Sequence, residues 1–334
     1  MPWRCAVNQT GMGGGVEFDL IRSILARYGD VAEGVGDDAG AVRVPGGETL
    51  YASTDVSVEN VHFRAEWISP DAIGYRAAMA ALSDLAAMAA TPRAMLVTLV
   101  LPDAWRNETD AIAGGLARAA RDLSAPIVGG DVSRGDALAV SVTVLGSTAR
   151  PLLRSGAKPR DSVWVTGRLG GPGLALDALR RGLQPDRLHM QRFAAPRARI
   201  REALWLEAHG ASAAVDISDG LAADLGHLAA ASGVQVVLDL DRVPVVNGAS
   251  PEVAAASGEE YELAVAVPHA LDAAAFESAF GLPLTCVGTV DAVHSAGAGG
   301  ASVGAPGTQG RDGVRVIRSG AAVAPPAGFD HFAR

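Results

Sequence analysis

The sequence predicts an α/β or α+β fold in two domains, and three observations carry that prediction. The chain has 334 residues, about twice a common domain size of ~150 residues. It is 49% hydrophobic and only 19% charged, enough apolar material for two cores. Helical and strand-like patterns alternate through both halves.

Residues 1–15 are Gly-rich and unpatterned, and read as a flexible leader. A first domain is expected over 16–149 and a second over 150–334. Phe18 to Tyr28 has helical periodicity. Ala41–Val44 and Leu50–Ser53 read as short strands. Pro70-Asp71 opens an Ala-rich helix that runs to about Ala90 and stops before Pro92. Ala94–Leu101 is a β-rich run ending at Pro102. Glu108–Leu123 is an amphipathic helix, and Ile127-Val128 a short strand feeding Gly129-Gly130-Asp131. Ala137–Gly146 is a strand rich in β-branched residues.

The polar, Pro/Gly-punctuated stretch Ala149–Arg160 marks the break. Beyond it a strand is expected at Ser162–Thr166, then a Gly-rich turn over Gly167–Gly173 and a helix to Arg181. Helices follow over 192–209, Leu221–Ala231 and Leu271–Phe280. Strands are expected at Val234–Leu240, Leu263–Val267 and Thr285–Val290. Ser295–Gly310 reads as a flexible Gly/Ala loop.

Charge and cysteine content narrow the function. A net charge of -9 argues against non-specific nucleic-acid or anionic-membrane binding. Cys5 and Cys286 give neither a disulfide framework nor a Cys-rich zinc site. The N-terminus shows no apolar h-region, and the run Ala77–Leu101 is broken by Asp84 and Arg93. A cytoplasmic location is the expectation.

Five short acidic motifs stand beside apolar or small residues. They are Gly36-Asp37-Asp38, Ser53-Thr54-Asp55, Ser83-Asp84, Gly129-Gly130-Asp131 and Asp216-Ile217-Ser218-Asp219-Gly220. Carboxylates at the edges of apolar elements are costly unless positive charge meets them. Hard cations such as Mg²⁺ take oxygen ligands and share them with substrate phosphates. Asp37-Asp38 reads equally as a turn, and Asp55 as a turn former. Asp84 sits in a helix apolar on nearly every side, which favours a buried functional acid. Ser or Asp before Leu221 explains one helix cap, but not both Asp216 and Asp219. Lys158 is the only lysine and lies in no Walker A frame, and Gly167–Gly173 fails the dinucleotide fingerprint. A nucleotide site here relies on backbone amides, arginine and metal.

Taken in order, these motifs resemble the thiamine-monophosphate kinase family. The resemblance also uses Val61-His62-Phe63, Arg154-Ser155-Gly156-Ala157-Lys158-Pro159, Gly258-Glu259-Glu260-Tyr261-Glu262-Leu263 and Gly328-Phe329-Asp330-His331-Phe332, and spans residues 16–332. It implies an aminoimidazole ribonucleotide synthetase-like fold of two α/β domains, with mixed sheets flanked by helices. The N-terminal domain would bind ATP and Mg²⁺ and form a homodimer. It implies ATP-dependent phosphorylation of thiamine monophosphate to thiamine diphosphate.

By position, Asp38, Ser53, Thr54, Asp55, Asp84, Asp131, Asp216 and Asp219 are the implied Mg²⁺ set. Gly130, Asp131, Arg154 and Ser218 are the implied ATP contacts, and His62, Glu259 and Phe329 the implied thiamine-phosphate contacts. The chain departs from the family pattern at Glu260 (usually Asp), Asn60 (usually Gly) and Phe329 (often Tyr). The turn at Gly170–Gly173 is shorter, and 295–310 reads as an insertion. Two rival readings stand beside it: another ATP-dependent synthetase of the superfamily, and a non-catalytic Mg-nucleotide-binding protein.

Overall fold

The computed structural model describes residues 37–43, 49–293 and 313–329. The expected leader, the Phe18–Tyr28 helix, Gly36, the 295–310 segment and Asp330-His331-Phe332 lie outside the described residues.

Two mixed sheets organise the chain. The first takes β1 (Gly40–Arg43), β2 (Thr49–Val58), β3 (Thr91–Leu101), β4 (Ile127–Arg134) and β5 (Ala139–Ser147), in the spatial order β1-β2-β5-β3-β4. Only β3 and β4 run parallel. Strand β5 alternates buried and half-buried residues along its whole length, the signature of a sheet packed on one face. That face is covered by α1 (Pro70–Ala87), and α2 (Thr109–Asp122) packs against α1.

The second sheet takes β6 (Ser162–Thr166), β7 (Ala213–Asp216), β8 (Val234–Asp239), β9 (Leu263–Val267), β10 (Leu284–Ala292), β11 (Val314–Arg318) and β12 (Ala321–Val323). Their order is β12-β11-β8-β10-β6-β9-β7. Its helices are α3 (Gly171–Arg180), α4 (Arg187–Ala194), α5 (Ile200–Ala208), α6 (Leu221–Ser232), α7 (Pro251–Ala256) and α8 (Ala273–Phe280). Strand β9 is buried at every position, as expected where both faces are covered.

Helix α1 joins the two halves. Ser69 caps it by accepting from the Ala72 amide at 3.3 Å, and Pro70 fits the first turn because its missing N–H is not needed there. Its residues are buried on nearly every side, for it packs on α2, β2 and β5 and also on α5 and β7. One apolar cluster therefore runs from Val140, Val142 and Val144 through Leu82 and Leu85 to Ala214, Val265 and Val267.

The structure differs from the sequence reading in four places. The strand expected at Leu50–Ser53 runs on through Thr54 and Asp55 to Val58, so Asp55 is a strand residue and not a turn former. The helix expected over 192–209 is two helices, α4 and α5, because Pro196 cannot continue a helix and Ala195 leaves helical geometry. The strand at Ile127-Val128 continues through Gly129-Gly130-Asp131 to Arg134, so those glycines lie in a strand and not in a loop. Strands β7, β11 and β12 and helix α7 carried no sequence expectation. Strand β7 is four fully buried residues, too short and too uniform to show a period. Among the described residues, no helix is long and apolar enough to cross a membrane.

Candidate active site

Acidic residues from both halves meet where α1 faces the end of β7. Carboxylate oxygens of Asp38, Asp84 and Asp216 lie within 4.8 Å of one another. Asp38 precedes β1, Asp84 sits in the last turn of α1, and Asp216 ends β7. Serines orient two of them. The Ser53 hydroxyl of β2 donates to Asp84, and the Ser83 hydroxyl donates to Asp216 at 2.6 Å. The second bond crosses between the halves.

Among the described residues, a single cation serves this group. Arg154, in a 3-10 turn before β6, holds Asp38 with both arms of its guanidinium, Nε at 2.8 Å and Nη2 at 2.6 Å. Its backbone N–H donates to Asp37 at 3.0 Å. Such a bidentate pair fixes direction as well as charge.

The remaining carboxylates are left with repulsion. Burial, then the charge of Asp38, lifts the Asp55 carboxyl to about 6, and burial with Asp38 lifts Asp37 to about 6 as well. Burial and Asp38 push Asp216 to about 8, although Ser83 and Arg154 pull the other way. Asp84 is raised well above the usual carboxylate range by burial, then by Asp55, Asp216 and Asp38. Burial on its own would lower Arg154, but Asp38, Asp37 and Asp216 together outweigh it and hold the guanidinium raised. Acidic groups are thus concentrated at a point where the described residues supply one arginine. All the donors are oxygens, the set a hard divalent cation takes.

The Asp-Ile-Ser-Asp-Gly loop extends this site. Asp224, on the first turn of α6, accepts from the amides of Ser218, Asp219 and Gly220 at 3.1, 3.1 and 3.0 Å. Gly220 carries φ +121, a conformation open to glycine, and that lets three successive amides face one carboxylate. Asp219, Asp224 and His227 also form a second group that could hold an ion, with ligand atoms within 4.8 Å. Burial, then Arg154, lowers His227 to about 4. The Phe329 amide donates to the Asp219 carbonyl at 2.9 Å, so Phe329 lies over this loop.

The residues implied as thiamine-phosphate contacts lie next to it. The Glu259 amide donates to the Ser218 carbonyl at 2.7 Å. His62, in the turn after β2, accepts from the Val58 amide at its Nδ1, 3.0 Å away. Buried Arg76 of α1 reaches both, donating to the His62 carbonyl at 3.1 Å and pairing with the Glu259 carboxylate.

Three residues of the sequence-derived set stay away from the cluster within this chain. Thr54 has opposite strand parity to Ser53 and Asp55, so its hydroxyl bonds Thr143 on the outer face of the first sheet, at 2.9 Å. Gly130 and Asp131 lie in β4, exposed along its length. Asp131 is three strands across from β2, about 14 Å at ~4.8 Å per strand, too far to share an ion with Asp55. Sequence reasoning missed Arg76 and Asp224. Arg76 stands in the same apolar helix that singled out Asp84, and that argument applied equally to it.

Known proteins share this architecture. Residues 36–148 match the AIR synthase related protein N-terminal domain, and 158–305 match the corresponding C-terminal domain. Thiamine-monophosphate kinase of Salmonella typhimurium is 34% identical, covering 95% of this chain and 96% of its own length. That of Rhodopirellula baltica is 38% identical, covering 81% and 87%. The solved structure of AaThiL complexed with AMPPCP and TMP superposes with a TM-score of 0.77 at 29% identity, covering 96% of this chain and 97% of that one.

Proposed function

The chain belongs to the thiamine-monophosphate kinase family, and from that premise we propose that it transfers the terminal phosphoryl group of ATP to thiamine monophosphate, giving thiamine diphosphate and ADP. The observation that carries this reading is the meeting of Asp38, Asp84 and Asp216 beside Arg154. Excess negative charge at a polyphosphate site makes sense only with cations between protein and substrate.

Asp38, Ser53, Asp55, Asp84 and Asp216 are the residues that would hold Mg²⁺; the raised carboxyl groups of Asp55, Asp84 and Asp216 and the all-oxygen donor set fit that ion. When bound, Mg²⁺ neutralises phosphate charge and favours in-line transfer. The chain's own residues do the rest. Asp38 clamps Arg154 in one orientation toward the nucleotide phosphates. Asp224 holds the Ser218–Gly220 loop, which presents Ser218 to ATP and Asp219 to a further ion. His62, Glu259 and Phe329 hold the thiamine end. The acceptor phosphate has a second pKa of ~6 and is mostly dianionic at neutral pH, so no side chain needs to remove a proton. Transfer is direct, without a phosphoenzyme.

Thr54, Gly130 and Asp131 fit this scheme through a homodimer. Register pairs Thr54 with Thr143, Thr143 with Leu96, and Leu96 with Gly129, two residues from Asp131. Thr54 and Asp131 therefore share the outer face of the first sheet, at opposite sides of it. Val56, Leu96, Ile127, Val128 and Val132 are exposed there or along the β4 edge, an apolar surface that suits a second copy. Two copies packed through this sheet bring the partner subunit's Asp131 toward Thr54. The 16–149 domain is then the dimerising one, 150–334 completes the pocket, and the enzyme works in the cytoplasm.

Coupled measurement of ADP release decides the reaction. Release that depends on thiamine monophosphate is the expected result. ADP release driven by a different acceptor supports the superfamily-synthetase reading, and ATP binding without turnover supports a binding protein. Either outcome overturns the kinase assignment.

A further inference from the structure

We propose that Arg76 is a positioning residue for the acceptor end of the pocket, setting His62 and Glu259 against each other across the two halves. The inference deepens the proposed function and rests on its reading of His62 and Glu259 as acceptor contacts.

Arg76 lies in α1 with 3% of its side chain exposed. A buried guanidinium is costly unless most of its donors are met. Here Nη1 donates to the His62 carbonyl at 3.1 Å, Nη2 pairs with Glu259, and the guanidinium carbon stands 4.7 Å from the centre of the Phe193 ring. Its Nε is buried with no hydrogen-bond partner among the described residues. The fork thus serves two residues that are far apart in sequence, one after β2 and one in the loop before β9.

Glu259 requires such a hold. Its φ is +59 and that of Tyr261 is +50, a region disfavoured for residues with a side chain. Two amide bonds keep the loop in this shape, Glu259 to the Ser218 carbonyl at 2.7 Å and Tyr261 to the Ile217 carbonyl at 2.9 Å. These bonds fix the backbone and leave the carboxylate direction to its ion pair. Among the described residues Arg76 is the one cation paired with Glu259.

The chemistry of the acceptor gives this a purpose. Thiamine carries an amino group on one ring and a positive charge on the other, and both favour an ionised carboxylate of fixed direction. Buried Arg76 supplies the fixing without occupying the ligand's place. A lysine could satisfy one of the two partners but not both, because it lacks the planar fork.

Steady-state kinetics on the full-length enzyme tests this with thiamine monophosphate and ATP varied in turn. Arg76→Met should raise KM for thiamine monophosphate about tenfold or more, with KM for ATP changed by less than about threefold. Arg76→Lys should fall between wild type and Arg76→Met. Adding Arg76→Met to Glu259→Gln should cost clearly less than the two single effects combined, because the Glu259 share of the arginine's effect is already lost and only its hold on His62 remains. An equal rise in both KM values, or full additivity in the double variant, overturns the inference.

If Glu259→Gln leaves KM for thiamine monophosphate unchanged, the acceptor reading itself is wrong and the inference falls with it. If Glu259→Gln raises that KM and Arg76→Met does not, only the inference falls. Should Arg76→Met lose its melting shift with a non-hydrolysable ATP analogue, Arg76→Lys decides, and an unchanged KM for thiamine monophosphate in that variant overturns the proposal.

Discussion

Two buried acidic clusters in this molecule are built on opposite terms. At the meeting of the halves, Asp37, Asp38, Asp55, Asp84 and Asp216 share one arginine, Arg154. Behind the 257–262 loop, Glu260 and Glu262 are matched by two arginines. Glu262 takes Arg199 through Nε at 2.8 Å and Nη2 at 2.5 Å, Arg192 at 3.2 Å and the Thr166 hydroxyl at 2.7 Å. Glu260 takes the Gly170 amide at 2.5 Å, the Ser257 hydroxyl at 2.6 Å and Arg192 at 3.2 Å. Burial still lifts Glu260 to about 7, with Arg192 pulling down. The matched cluster is a joint between the Gly-rich turn, α4 and the acidic loop. The unmatched one is a socket. Balance of charge, not burial of charge, distinguishes the two clusters, and it is what marks the unmatched one as the proposed metal site.

The sharpest way to break this contrast is Asp84→Asn. It should cut turnover by about 10³-fold or more, of the order found when an electrostatic group is removed from a reacting centre. Because the lost charge was repelled by its neighbours, the metal-free variant should melt no lower than wild type. A drop in melting temperature with activity retained would make Asp84 structural.

The matched cluster should show the reverse. Glu262→Gln leaves Arg192 with Glu260 and Arg199 with Glu202 as their remaining acidic partners, one carboxylate short of balance, and should cost roughly 3 kcal/mol of stability, read from denaturant unfolding. A loss below about 1 kcal/mol would mean that this network does not hold the loop.

A third test uses pH. Asp55 and Asp37 are raised from 3.8 to about 6, and Asp216 from 3.8 to about 8. Between those limits the folded chain holds protons that the unfolded chain releases. Stability contributed by these groups is therefore present below about pH 4 and is lost as pH rises to 8. With chelator present, this term should lower the melting temperature across that window. Mg²⁺ should reverse the trend, and an identical pH profile with and without Mg²⁺ would count against a cation in the socket.

The smallest effect is expected at Glu260→Asp, which restores the usual family residue. Shortening the side chain weakens its reach to the Gly170 amide, so a loss of ~1 kcal/mol is expected, with KM values nearly unchanged.

How much of this was legible beforehand follows the same physics. Asp84 was legible because an acid in a helix apolar on every side has few innocent explanations. Asp216 and Asp219 were legible because one helix cap does not need two aspartates. The surplus of charge was not legible, since it depends on which arginines arrive. Among the described residues, Arg199 and Arg192 reach the glutamates, whereas Arg154 alone reaches the aspartates. Thr54 shows a different limit. A strand turns successive side chains to opposite faces, so adjacency in a motif does not mean a shared pocket. The helix boundary at Pro196 was legible in principle and was overrun by the apolar periodicity around it.

The bond between Ser83 and Asp216 spans 133 residues of chain, and the clamp of Arg154 on Asp38 spans 116. Contacts of such long range close late, after each half has built its own strands and helices. A cation that recognises the completed socket then has little to grip in the folding transition state. Its stabilisation appears in a slower escape from the native state and leaves the speed of refolding almost untouched. On the proposed reading, saturation with magnesium and nucleotide then governs how long each molecule survives, not how quickly it matures.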